Sequence, residues 1–110
     1  MGNDLINLIV AEQQKDADGF AAATIQHKTE VFAQIQSVKR AEFYSAVRGG
    51  MAVNLVAVVD EDDYLSAARE VDGKMQKPKQ AEYRGALYNI IRTYQPQNTT
   101  SLELYLQEVE

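Results

Sequence analysis

Between Ala81 and Gln107 the chain spells out an antiparallel meander, and no other stretch constrains the fold as strongly. The run Glu82-Tyr83-Arg84-Gly85-Ala86-Leu87-Tyr88-Asn89-Ile90-Ile91-Arg92-Thr93-Tyr94 places Arg84-Gly85 between β-prone arms. A two-residue hairpin loop needs positive φ, which glycine supplies without steric cost. The arms Ala81–Tyr83 and Leu87–Tyr94 are therefore expected to pair. A polar gap with Pro96 follows, from Gln95 to Thr100. Then Leu102, Leu104 and Leu106 alternate with Glu103, Tyr105 and Gln107, the period of a strand with one apolar face.

The same period appears upstream. Leu5 to Val10 reads as a short apolar strand, and Lys15-Asp16-Ala17-Asp18-Gly19 as a turn. Phe20 to Gln26 returns as a second hairpin arm. Thr29 to Val38 is a better strand, with Val31, Ala33 and Ile35 on one face and Glu30, Gln34 and Gln36 on the other. The period then changes. Phe43, Ala46 and Val47 recur at helical spacing within 39–48, Ser37 is placed to cap the start, and Gly49-Gly50 ends the run.

Met51 to Val59 is apolar on both faces, which requires a strand covered on both sides. Asp60-Glu61-Asp62-Asp63 ends it. The segment 65–80 has weak periodicity and reads as a long flexible loop with at most one helical turn, around Leu65 to Glu70. A loop of that length in a compact domain is usually functional or disordered. The expected fold is mainly β: a small antiparallel barrel or sandwich of six to seven strands, one short helix at about 39–48 and a long loop at about 65–80.

Composition sets limits. The chain has 110 residues, enough for one domain spanning 1–110. It has no cysteine, which removes disulfides, thiolate catalysis and thiolate metal sites together. The formal charge of −5 disfavours general nucleic-acid binding, because phosphate neutralisation supplies most non-specific affinity. No apolar run approaches the roughly 18 residues of a membrane span. Asp4 and Asn7 interrupt the N-terminal apolar segment and no cationic leader precedes it, so no signal peptide is expected.

Candidate chemistry is sparse. Four consecutive acids, Asp60 to Asp63, alternate faces in an extended chain and cannot all converge on a cation; Leu65 also stands where an EF-hand loop needs glycine. Asp16 and Asp18 fit a turn better than a ligand set. His27 is the one histidine, with no flagged partner for acid–base work. Arg48-Gly49-Gly50 lacks the spacing of a phosphate-binding loop and fits a helix end. Lys74, Lys77 and Lys79 with Arg69 form a modest basic cluster. Tyr83, Tyr88, Tyr94 and Tyr105 lie on strands, where they either stack on single-stranded nucleic acid, as in OB-folds, or pack across strands. Neither a metal, a cofactor nor a catalytic set is expected.

The order of these features resembles the small head-closure proteins of long-tailed bacteriophages, also called head–tail adaptor or joining proteins. The resemblance covers nearly the whole chain. It is carried by the N-terminal strand ending near Asp18-Gly19, by Glu30-Val31-Phe32-Ala33-Gln34-Ile35-Gln36-Ser37-Val38, by Arg40-Ala41-Glu42-Phe43-Tyr44-Ser45-Ala46, and by the acidic turn ending at Asp63-Tyr64. Its strongest parts are Glu82 to Tyr94 and Leu102-Glu103-Leu104-Tyr105-Leu106. The departure is Leu65 to Lys79, which is longer than that pattern.

The resemblance implies a small β-barrel without enzymatic activity. It implies self-association into a ring in the virion, made in the host cytoplasm and seated beneath the portal and adaptor ring. The ring would close the channel on packaged double-stranded DNA and dock a tail-completion or tail-terminator protein. The expected channel loop holds Glu70, Asp72, Gly73, Lys74, Gln76, Lys77 and Lys79, with Arg48, Gly49 and Gly50 as the alternative. Tyr44, Tyr64, Tyr94 and Tyr105 are the expected interface aromatics. The alternatives are an OB-like nucleic-acid-binding module and another connector ring protein, such as an adaptor or tail terminator.

Overall fold

A computed structural model of the chain describes residues 4–15, 21–36 and 53–109. The strands are β1 (Asp4–Lys15), β2 (Ala21–Gln36), β3 (Leu55–Asp60), β4 (Arg69–Val71), β5 (Lys74–Gln76), β6 (Gln80–Tyr83), β7 (Ala86–Tyr94) and β8 (Ser101–Glu108). One helix, α1 (Glu61–Ser66), follows β3. Six strands close an antiparallel barrel in the order β1-β2-β3-β8-β7-β6, while β4 and β5 form a separate hairpin.

Alternation decides what goes inside. Ile6 and Leu8 of β1, Val31 and Ala33 of β2, Ala57 and Val59 of β3, Ala81 of β6, Tyr88 of β7, and Leu102, Leu104 and Leu106 of β8 pack as one core. The leucine stripe of the last strand is thus the barrel's inner face. The two-sided coverage expected of β3 is also found, since Val56, Ala57, Val58 and Val59 are all buried. Val56 turns outward into a second, smaller cluster with Val53 and Tyr105, against which Ile91 packs.

The meander forms as its turn chemistry dictates. Arg84 and Gly85 have φ of 50° and 80°, and Tyr83 pairs with Ala86 across them. Two consecutive positive φ values match the right-handed twist of the flanking strands. Between Ile90 and Arg92 a register shift leaves Ile91 without a partner on β8. This bulge reverses the inside–outside order of β7 beyond it. Arg92 consequently stands opposite Tyr105 on the outer face rather than entering the core.

Three expectations change. Phe20–Gln26 and Thr29–Val38 are not two strands: β2 runs unbroken from Ala21 to Gln36, because β1 stays paired beside it from Asp4 to Lys15. The acidic run is not a simple turn. Asp60 caps α1, its Oδ1 accepting from the Asp62 amide at 2.9 Å. Glu61, Asp62 and Asp63 then occupy the first turn, where carboxylates complement the unpaired amides. Finally, 65–80 is not a long loop; it comprises the end of α1, the β4–β5 hairpin and the start of β6. The helix expected at 39–48 and the turn at Asp16–Gly19 lie outside the described residues.

Candidate functional site

The β4–β5 hairpin and the segment that returns from it form the most distinctive surface at one end of the barrel. Arg69 pairs with Gln76, Glu70 with Met75 and Val71 with Lys74. Asp72 and Gly73 make the turn with φ of 52° and 81°, the second use of the geometry seen at Arg84-Gly85. The strands are short, and Asp72, Gly73, Lys74 and Met75 are exposed. Met75 is 67% exposed, an apolar side chain offered to solvent at the tip.

The base of this hairpin is anchored from both sides. Arg69 donates through Nη1 to the Ser66 and Ala68 carbonyls and through Nη2 to Thr29 Oγ1 of β2. On the return side, the buried Tyr64 hydroxyl donates to the Pro78 carbonyl at 3.2 Å. Lys77-Pro78-Lys79 then forms a strap that leads into β6. The Lys79 amide donates to the Ile9 carbonyl at 3.3 Å, and the Ile90 amide donates to the Lys79 carbonyl at 2.8 Å. Lys79 thereby extends the β6 ladder between its neighbours β1 and β7.

A cleft opens on each side of the strap. One, of ≈ 490 Å³, is lined by Ile9, Val10, Val71, Lys77, Lys79 and Asn89 among others. The other, of ≈ 460 Å³, includes Tyr64, Met75, Lys77, Lys79, Ile91 and Arg92. Gln76, Lys77 and Lys79 border both. Among the described residues, the ion pairs are His27–Glu12, Lys28–Glu82 and Arg84–Asp4, so none engages Lys74, Lys77, Lys79 or Arg92. Of the expected basic cluster, Lys77 and Lys79 share a cleft, and the β7 bulge adds Arg92 to them, whereas Arg69 is bound at the hairpin base and Lys74 lies exposed beside the turn. Sequence reasoning missed Arg92 because plain alternation after Ile90 would turn it inward.

The expected channel-loop residues are thus all gathered, but on an ordered hairpin and strap. Arg48, Gly49, Gly50 and Tyr44 lie outside the described residues. Of the interface aromatics among the described residues, only Tyr94 is open, at 49% exposure. Tyr64 is a core residue that closes the barrel end together with Ala67. Its burial raises the phenol above its ordinary pKa. Tyr105 is buried in the outer cluster and donates to Glu103 Oε1 at 3.0 Å. Neither presents a ring for a partner to cover. Tyr88 is buried in the main core as well, and burial, followed by the nearby Glu108 and Tyr83, raises its pKa. Tyr83 is half-buried and stacks under Arg84, whose guanidinium carbon lies 5.2 Å from the ring centre.

His27 sits on β2, with Nε2 3.1 Å from Glu12 Oε1. Among the described residues, no group of three or more His, Asp or Glu side chains converges as a metal-ligand set. No helix among them is long and apolar enough to cross a membrane. No family model matches the chain, nor does any curated protein.

Proposed function

We propose that this chain is a structural component of a phage head–tail connector, a head-closure subunit that acts as a ring beneath the portal and adaptor. The observation that carries the reading is the β4–β5 hairpin. A closed barrel holds its base through Arg69 and Tyr64, while its tip, Asp72 to Met75, stands free and exposed. A ring would bring many copies of that tip toward one axis, where individually weak contacts with DNA or with each other act together. The resemblance through Glu82–Tyr94 and Leu102–Leu106 supports the same reading, since those residues form the barrel wall on which the projection stands.

Mixed charge suits a channel part. Glu70 and Asp72 are followed by Lys74 and Lys77 through the hairpin, while the chain as a whole carries −5. Net negative charge repeated around a ring limits adhesion of packaged DNA, and isolated lysines still allow contact. In this role the ring also docks a tail-completion or tail-terminator protein.

Replacing 70–75 by Asn-Gly keeps the paired base residues Arg69 and Gln76 and tests the assignment directly. Filled heads carrying this variant are expected to leak DNA while still incorporating the subunit. Full DNA retention with normal tail joining would remove the hairpin from the closing mechanism. Gene order tests the wider reading: portal and capsid genes just upstream with tail genes just downstream fit it, and a locus without them sinks it.

The cationic strap favours one second reading, a nucleic-acid-binding module. Its base-stacking surface would have to use Tyr94, because Tyr88 is inside the barrel. Single-stranded DNA binding at low salt that disappears in a Lys77→Ala/Lys79→Ala/Arg92→Ala variant would support this alternative.

A further inference from the structure

The ribbon formed by β1 and β2 outruns the barrel that contains it. Barrel closure between β1 and β6 involves only Asn7, Leu8 and Ile9 of β1. On the other side, β2 meets β3 only through Gln34, Ile35 and Gln36. Beyond these contacts β1 and β2 continue to pair with each other, out to Lys15 and Ala21. At about 3.3 Å per residue, Val10–Lys15 alone extends the ribbon by roughly 20 Å. The molecule is accordingly 48 Å long against 28 and 25 Å across.

Among the described residues, no strand pairs with the outer edge of β2 from Ala21 to Ala33, nor with that of β1 from Val10 to Lys15. Exposed edges are normally blunted by proline, by clustered charge or by bulges. Neither segment contains proline or glycine, and their charges balance: Glu12 and Lys15 on one, Lys28 and Glu30 on the other, with His27 beside Glu12. The single register shift falls at Gln14/Lys15, the far end. Thr24, Ile25, Thr29, Val31 and Phe32 are strong strand formers. A two-stranded ribbon is at best marginally stable in water and gains from a third strand.

We propose that these two edges pair with one another between copies of the chain, β2 of one subunit against β1 of the next. The chain carries both halves of the junction. Copies side by side in the same orientation always set a β2 beside a β1 running the opposite way, so the seam is antiparallel. Low, balanced charge lets the edges approach without repulsion. Because the junction uses two different edges, it does not saturate at a dimer; it closes into a ring if the rotation per subunit permits and otherwise grows as a filament. Ring closure rests on the connector reading above, whereas the edge pairing does not.

The absence of native cysteine makes a clean test. Gln13→Cys on β1 and Gln26→Cys on β2 change exposed, polar positions. Each variant is prepared alone, one of them isotope-labelled, and the two are mixed at high concentration in a glutathione redox buffer. Met75→Cys, on the exposed hairpin tip, measures random collision. Mixed β1–β2 dimers are expected to exceed both self-linked species and the Met75 control roughly tenfold, about 1.4 kcal/mol of preference. Dominant Gln26→Cys self-links would instead show a two-fold β2–β2 pair, and links at the control level would show that the edges do not meet; either overturns the proposal. Light scattering and electron microscopy of the unmodified chain, alone and in filled heads, separate the two readings. Rings without mixed links refute the seam and leave the connector ring. Mixed links in filaments that never close refute the ring and leave the seam.

Discussion

Substituting Tyr64→Phe isolates the bond that holds the strap. The ring stays, so the barrel end remains filled, while the Pro78 carbonyl loses its donor at 3.2 Å. A buried hydrogen-bonding group left unsatisfied costs about 1–3 kcal/mol, and relaxation of the strap toward solvent favours the lower end. With unfolding entropy near 2.1 cal/mol/K per residue, a chain of this length loses roughly 4 °C in Tm per kcal/mol. A fall of about 4–8 °C is therefore expected in a thermal melt followed by circular dichroism. Hydrogen exchange supplies a local readout: the Lys79 and Ile90 amides, which tie the strap to β1 and β7, should exchange faster than amides of β8. The alkaline limb adds a signed test. Burial raises the Tyr64 pKa, so the folded protein keeps the proton while the unfolded chain releases it near pH 10. The unfolded state then binds fewer protons, and wild-type stability falls as pH rises above 10, by up to about 1.4 kcal/mol per pH unit for this group. Below pH 10 its contribution is complete. The gap between wild type and Tyr64→Phe should consequently narrow above pH 10. An unchanged melt, unchanged exchange at Lys79 and Ile90, and a constant gap through the alkaline range would refute the strap's dependence on Tyr64.

Other substitutions probe the remaining supports. Leu104→Ala, at a fully buried inner position, should cost about 3–5 kcal/mol in urea titration, since the closed barrel limits collapse around the cavity. Gly85→Ala meets no atom within 4 Å but must hold φ near +80°, so a loss of about 1 kcal/mol in the same assay would come from the backbone alone. Asp60→Ala removes the cap accepted by the Asp62 amide and should cost about 1 kcal/mol, with exchange quickening in α1 before the barrel. Phe32→Ser, at a position 60% exposed, should leave Tm nearly unchanged.

The sequence made the barrel wall legible because period-two patterning and turn residues agree there. Leu102, Leu104 and Leu106 can face only one way along a strand, and Arg84-Gly85 leaves few alternatives to a tight hairpin. The segment 65–80 was obscure because β4 and β5 are too short to establish a period. Their order comes from Arg69 and Tyr64, contacts that link them to Thr29 and Pro78 and leave no local pattern. Asp72-Gly73 did signal a turn, but only the partner strands make it a hairpin. Tyr64 and Tyr105 were misplaced for a related reason: a tyrosine suits a core with one hydroxyl partner as well as it suits a surface. The site's basic character was partly readable from Lys77 and Lys79, whereas Arg92 joins them through a bulge that alternation does not foretell.

The paired base of the β4–β5 hairpin has a practical and an evolutionary consequence. Arg69 and Gln76 face each other across an antiparallel pair, so the chain leaves and re-enters the barrel end at neighbouring points. Whatever lies between them can lengthen, shorten or change composition at little cost in loop-closure entropy and without altering the wall. Asp72-Gly73 is consequently the natural port for an epitope tag or a fluorophore. The same port lets related chains vary the projection's reach while the barrel is kept unchanged.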